Sequence, residues 1–135
     1  MQQKMEIICV GNELLIGKVL NTNGHWLAKR ATFLSIFVDR LTIIRDDVAE
    51  IAEAIREAVK RKPQFILTTG GLGPTFDDKT LEGIAKAANQ KLQVNKKALS
   101  MVKKKYDAYA KKEKMEKEEL TPPRAKMATI PENAE

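Results

Sequence analysis

Two short segments hold most of the residues able to do chemistry. The first is Gly70-Gly71-Leu72-Gly73-Pro74-Thr75. Its three glycines let the backbone take positive φ values and approach a ligand closely, and successive N–H groups before a helix form a concavity suited to an anion. Phosphate is the natural occupant. The loop is neither a Walker loop, since no Gly-Lys-Ser/Thr closes it, nor a dinucleotide GxGxxG fingerprint. A tight glycine turn would explain one or two of these glycines, so anion binding is the expectation. The second segment follows at once as Phe76-Asp77-Asp78-Lys79-Thr80. One aspartate there would serve as a helix cap. A second, beside a phosphate loop, suits Mg²⁺, which takes one or two carboxylates plus substrate phosphates. Both uses stay open.

Asp46 and Asp47 form a similar pair. Asp47 stands three residues before Glu50, the spacing of a capping box, which leaves Asp46 as the better functional candidate. Glu13, in Gly11-Asn12-Glu13-Leu14-Leu15, follows the first apolar run and is expected to face the same crevice. The single histidine, His25, has no partners for a metal cluster, and the single cysteine, Cys9, excludes an intramolecular disulfide. Ser35 and Ser100 stand where a serine triad would not be built: the first at the start of a strand, the second on a lysine-rich helix. Hydrolysis or group transfer, if present, therefore depends on carboxylates, a metal ion and backbone donors.

These residues have to be positioned by alternating strands and helices. Met5 to Val10 is an apolar run broken only by Glu6 and ended by Gly11, a buried strand followed by a loop to Gly17. Thr22 to Leu34 places Trp26, Leu27, Ala31 and Leu34 at helical spacing. Ser35 to Ile44 has the Phe, Val and Ile content of a strand. Val48, Ile51, Ile55 and Val59 then mark a helix that Pro63 stops. Phe65 to Thr69 is a short strand that runs into the glycine loop, and Leu81, Ile84, Ala85 and Ala88 mark the next helix. Such alternation predicts an α/β fold, a three-layer α/β/α sandwich with a mainly parallel sheet, as a single domain over residues 1–135. In such sheets ligands collect beyond the carboxyl ends of the strands, where both the Gly11 and Gly70 loops emerge.

The chain has 135 residues, and its 24 Lys and Arg against 18 Asp and Glu give a net charge of +6. Lys96 to Glu119 carries nine basic and five acidic residues, so +4 of the excess is local. There Leu99, Val102, Tyr106 and Tyr109 form an apolar stripe, which predicts an amphipathic helix with a solvated lysine face. A polyanion-binding surface is the less favoured alternative, and nucleic acid is not the expected partner, because no Arg-rich or aromatic-interleaved pattern accompanies the lysines. No apolar run approaches the ~18 residues of a membrane span and the start is not a signal peptide, so a cytoplasmic protein is expected.

The ordered set Gly11-Asn12-Glu13-Leu14-Leu15-x-Gly17, Asn21-Thr22-Asn23, Asp46-Asp47 and Thr68-Thr69-Gly70-Gly71-Leu72-Gly73-Pro74-Thr75-Phe76-Asp77-Asp78-x-Thr80 resembles the molybdopterin-binding (MoaB/Mog-like) domain family. Within it the chain is most similar to the amino-terminal domain of the competence/damage-inducible protein CinA. Leu120-Thr121-Pro122-Pro123-Arg124-x-Lys126-Met127-Ala128 and Ile130-Pro131-Glu132 extend the resemblance. It implies the α/β/α sandwich, self-association as a dimer or trimer, and a small phosphorylated ligand. That ligand is molybdopterin or an adenine nucleotide. The molybdenum-cofactor branch binds molybdopterin or adenylates it with ATP and Mg²⁺, and the CinA branch is associated with metal-dependent cleavage of ADP-ribose.

By the same resemblance Gly70, Gly71 and Gly73 cradle a phosphate, while Thr69, Thr75 and Thr80 orient the ligand. Glu13 and Asn23 line the cleft, and Asp46 and Asp78 match the functional acidic positions; the candidate Mg²⁺ ligands, on residue type beside the phosphate loop, are Asp77 and Asp78. Three positions depart from the family: Asn12 stands for an Asp, Arg45 for a Gly and Ser35 for a Gly. The family continues beyond the position of Glu135 through another strand and an Asn/Gly/Pro-rich loop that helps wall the cleft, so the chain is expected to be truncated there.

Overall fold

The computed structural model describes residues 3–116 and 119–135. The elements run β1 (Lys4–Val10), α1 (Asn12–Leu15), α2 (Thr22–Phe33), β2 (Phe37–Ile44), α3 (Val48–Lys60), β3 (Phe65–Thr69), α4 (Thr80–Ala88), β4 (Leu92–Val94), α5 (Lys96–Lys112), α6 (Pro122–Lys126) and β5 (Thr129–Pro131). The first three strands form a parallel sheet in the order β2-β1-β3, and β4 and β5 pair antiparallel in a second sheet. Because β1 is central, the chain passes from one side of it to the other between β2 and β3. That crossing brings the loops after Val10, Ile44 and Thr69 to one end of the sheet.

From Met5 to Val10 β1 is buried on both faces, as a central parallel strand must be, which is why it reads as an apolar run broken only by Glu6. Met5, Ile7 and Cys9 pack with Ala31, Leu27 and Ala28 on the α2 side, while Ile8 and Val10 pack with Ile51 and Ala58 on the α3 side. Glu6 shares the α3 side at 1% exposure, and its carboxylate is met in bidentate fashion by Arg61 Nε at 2.7 Å and Nη2 at 2.8 Å. The planar fork of the guanidinium satisfies both carboxylate oxygens, so the buried charge is not left unpaired. The same contact pushes the Arg61 pKa up. α4 lies on α3 through Gly83, where a Cβ would come within 2.3 Å of Ile51 Cγ2.

Several boundaries and faces differ from expectation. The loop after Gly11 contains a helical turn, α1. Ser35 does not begin a strand: it sits at φ 59°, with its N–H on the Thr32 carbonyl and the Ile36 N–H on the Ala31 carbonyl. These are the paired bonds that close a helix in a Schellman motif, and β2 starts only at Phe37. Trp26 and Leu34 point away from the core at 62% and 52% exposure, because the inward face of α2 is Leu27, Ala28 and Ala31. On α3 the inward line is Ile51, Ile55 and Ala58, and Val59 is exposed.

α5 ends at Lys112, short of Glu119, and Lys114 adopts φ 54° just after it. The expected helix also covered residues 117 and 118, which lie outside the described residues. None of the described residues of α5 is buried. Leu99, Val102 and Tyr106 are half-covered, while Tyr109 is exposed. Arg124 of α6 stacks over the Tyr106 ring at 4.3 Å. Among the described residues no helix is long and apolar enough to cross a membrane.

Candidate functional site

The glycine loop leaves β3 with Gly70 at φ 89° and Gly71 at φ 61°. A Cβ on Gly70 would stand 2.0 Å from the Val10 carbonyl oxygen, one on Gly71 2.3 Å from Thr80 Oγ1, and one on Gly73 2.6 Å from Asp78 Oδ2. Gly70 and Gly71 are therefore required by their positive φ and by the close approach of their surroundings, whereas Gly73 is opposed only by the end of the Asp78 side chain. Thr80 is fully buried at the start of α4, donating from Oγ1 to the Gly70 carbonyl at 2.8 Å and from its N–H to the Gly71 carbonyl at 3.2 Å. Its hydroxyl ties the loop to the helix.

Asp77 and Asp78 do not cap α4, whose N-cap is Lys79 without a side-chain bond. Asp78 turns back into the loop. Its Oδ2 accepts from the Thr75 N–H at 2.8 Å and lies 2.6 Å from Thr75 Oγ1, and the Gly73 amide also serves it. Partial burial works to raise the Asp78 pKa, but the Thr75 hydroxyl, the Thr75 and Gly73 amides and the charge of Lys126 outweigh it and hold the carboxyl below its ordinary value. Asp78 thus fills part of the concavity of loop amides with its own carboxylate. Asp77 Oδ1 approaches the same Thr75 hydroxyl. That hydroxyl has one proton for two carboxylate oxygens.

Asp46 is not free of structural work. Its Oδ2 accepts from the Asn12 N–H at 2.9 Å, and its own N–H donates to Asn12 Oδ1 at 3.4 Å. Asn12, the residue standing for an Asp, closes this reciprocal pair without placing a second carboxylate against Asp46. The other Asp46 oxygen faces Gly71, 3.4 Å from where a Cβ would be. Asp47 caps α3 through Oδ1, which accepts from Ala49 and Glu50 N–H at 2.9 Å each. Glu50 pairs with Arg45 at 2.9 Å, so the residue that replaces a Gly has an electrostatic partner.

Two cavities flank the loop. One, of about 220 Å³, is lined by Gly71, Gly73, Asp78, Glu82, Lys126 and Thr129 among others. The second, about 100 Å³, includes Glu13, Asn21, Asn23, Thr69 and Gly70. In it Asn23 Nδ2 donates to Thr69 Oγ1 at 3.1 Å, and the Glu13 carboxylate folds back over Gly11. Of the expected residues, Gly71, Gly73 and Asp78 line the first hollow and Glu13, Asn23, Thr69 and Gly70 the second, while Asp46, Thr75, Asp77 and Thr80 line neither. A wider hollow, about 810 Å³, is an open apolar groove along α5 that includes Met101, Tyr106, Tyr109 and Met127 and offers little to orient a phosphorylated ligand.

Sequence reasoning left Lys126 without a role. Its Nζ donates to the Thr75 carbonyl and, at 2.7 Å, to the Asp78 carbonyl, and it borders the larger site cavity. The available signal was its place in the Pro-Pro-Arg-x-Lys-Met-Ala segment. Among the described residues no group of three or more His, Cys, Asp or Glu is arranged to hold a metal ion.

Comparison with known proteins agrees with this architecture. Residues 6–132 match the probable molybdopterin binding domain family. A protein of Sulfurisphaera tokodaii is 46% identical over 129 residues, 96% of this chain and 46% of its own length. One of Saccharolobus solfataricus is 47% identical over 129 residues, with 96% and 45% coverage. The chain thus spans about half the length of these relatives. Among solved structures, the protein CinA of Thermoplasma acidophilum, described as of unknown function, superposes with a TM-score of 0.83 at 40% identity, over 96% of this chain and 71% of that one. The tungsten cofactor synthesizing protein MoaB of Pyrococcus furiosus, at 23% identity and a TM-score of 0.59, shares the fold over 83% of this chain and 64% of its own. With the parallel sheet and the glycine loop in place, the chain belongs to the molybdopterin-binding domain family and is similar within it to CinA.

Proposed function

We propose that the chain binds a phosphorylated pterin, molybdopterin, or an adenine nucleotide at the end of the sheet, with its phosphate in the cavity beside Gly71 and Gly73. The observation that carries this reading is that 220 Å³ cavity itself, bordered by loop backbone, Asp78 and Lys126 at the carboxyl ends of parallel strands. Thr75 positions Asp78, Thr80 holds the loop, and Glu13, Asn23 and Thr69 line the neighbouring hollow where the rest of the ligand lies. Calorimetric titration with AMP, ADP-ribose and molybdopterin is expected to show saturable binding of at least one, weaker for the dephosphorylated counterpart. Absence of binding by all three removes the reading.

A second reading, Mg²⁺-dependent cleavage of the phosphoanhydride of ADP-ribose or a related nucleotide, is favoured by one feature. Asp77 and Asp78 crowd a single Thr75 hydroxyl, and Asp78 is held ionised. Two carboxylates completed by substrate phosphates are a donor set that fits Mg²⁺, with Asp77 and Asp78 as its holders. The ion, when bound, supplies charge neutralisation at the phosphates. In this reading Asp46, fixed by Asn12, orients the attacking water with the oxygen that faces Gly71. Turnover of ADP-ribose that requires Mg²⁺ and falls in Asp78→Asn supports it, whereas undiminished turnover in that variant removes Asp78 as a ligand.

A further inference from the structure

Lys126 comes from the last residue of α6, 48 positions beyond Asp78, and its ammonium is held in the loop by the carbonyls of Thr75 and Asp78. An ammonium has three hydrogens to donate and no acceptor. Two are committed to the carbonyls, and the side chain still borders the cavity beside Gly71 and Gly73. The other charged residues lining that cavity are Asp78 and Glu82, both acidic, and Glu82 is already paired with Lys79 at 3.2 Å. Lys126 is therefore the one cation among the described lining residues of a hollow that a phosphoryl group could enter only against negative charge. Its stem has already lost its rotamer freedom to the two carbonyl bonds, so an anion would meet a preorganised donor and not a mobile surface lysine.

We propose that Lys126 is the phosphoryl-recognising residue of this site: its third hydrogen binds a phosphate oxygen while the other two fix the Thr75–Asp78 turn. The inference rests on the ligand reading above and adds the residue that distinguishes a phosphorylated ligand from its phosphate-free form.

The test uses ligand pairs that differ only in phosphate, AMP with adenosine and molybdopterin with its dephosphorylated form, titrated into the wild type, Lys126→Met and Lys126→Arg. Lys126→Met is expected to weaken the phosphorylated member about tenfold or more beyond whatever it costs the phosphate-free member through the loosened turn, as loss of a charge-assisted hydrogen bond does. Lys126→Arg, which keeps the charge and several donors, is expected to restore most of the difference. A purely structural staple would weaken both members of a pair equally, and that result overturns the proposal. If Lys126→Met fails to fold, the wild type decides by ¹⁵N NMR. The Lys126 ammonium resonance, assigned by its absence in Lys126→Arg, should shift with the phosphorylated ligand alone, and an unmoved resonance overturns the proposal. A wild type with no preference for phosphate removes the ligand reading and this inference together. A preference that survives Lys126→Met removes only the inference.

Discussion

Gly70 tolerates no side chain, because the atom its Cβ would strike is a backbone oxygen of the central strand, which cannot move aside. Gly73 differs. Its nearest neighbour is the Asp78 carboxylate, the end of a side chain that can swing away at the loss of its loop bonds. Gly70→Ala is accordingly expected to cost about 3 kcal/mol or more in urea unfolding, and Gly73→Ala about 1 kcal/mol with a larger effect on ligand affinity than on folding. Asp78 also gives the molecule a pH signature. Its carboxyl is held below the ordinary value of 3.8, so its stabilising contribution is fully present above that value and is lost as pH falls through the lower folded value. The stability difference between the wild type and Asp78→Asn should stay constant from pH 8 to pH 5 and begin to shrink as pH falls below the ordinary carboxyl value; a difference untouched by acidification would contradict the assignment. The sequence made Gly70, Asp78 and Asp46 visible as candidates through residue type alone. It could not show that Asp78 occupies the loop amides or that Asp46 holds Asn12, because both facts depend on side-chain direction. Lys126 was hidden for a related reason: its contacts join segments about 50 residues apart.

The helices are closed by residues that do not announce it. Ser35, Lys62, Asn89 and Lys114 all stand at φ between 54° and 59° near helix ends, a conformation glycine adopts without steric cost. Ser35→Gly is expected to raise stability by about 0.5–1 kcal/mol, since relief of the left-handed strain exceeds the added chain entropy of the unfolded state. Chemical denaturation measures it, and a destabilised variant would mean that the serine hydroxyl contributes more than the backbone loses. This position explains one misreading of the sequence: serine is compatible with a strand start, and only the bonds to Thr32 and Ala31 reveal the helix end. β1 was legible as an apolar run, and α3 and α4 because each carries an apolar period along one face. The three-residue strands β4 and β5 were not, since neither is long enough to show a period and each depends on a partner more than 30 residues away.

At the scale of the whole molecule, three parallel strands in the order β2-β1-β3 place the loops after Val10, Ile44 and Thr69 at one end, with β1 enclosed from Met5 to Val10. The parallel α/β plan was readable from the alternation of elements, whereas the division of the site into two hollows depends on how α1, α2 and α6 settle around the glycine loop. Enclosure of β1 also has a practical consequence. The chain's one thiol, Cys9, lies in that strand at 0% exposure, and burial pushes its pKa up, with an opposing hydrogen bond from Asn21. An alkylating reagent can therefore reach it only when the sheet comes apart. Reaction with iodoacetamide is expected to be slower in the native protein than in urea by a factor of about 10³ or more. Rapid native labelling would show that β1 is not the closed centre described here. The protein thus carries its own single-site clock for opening, and the same measurement repeated with a bound ligand would report, without any added probe, how strongly that ligand holds the three strands together.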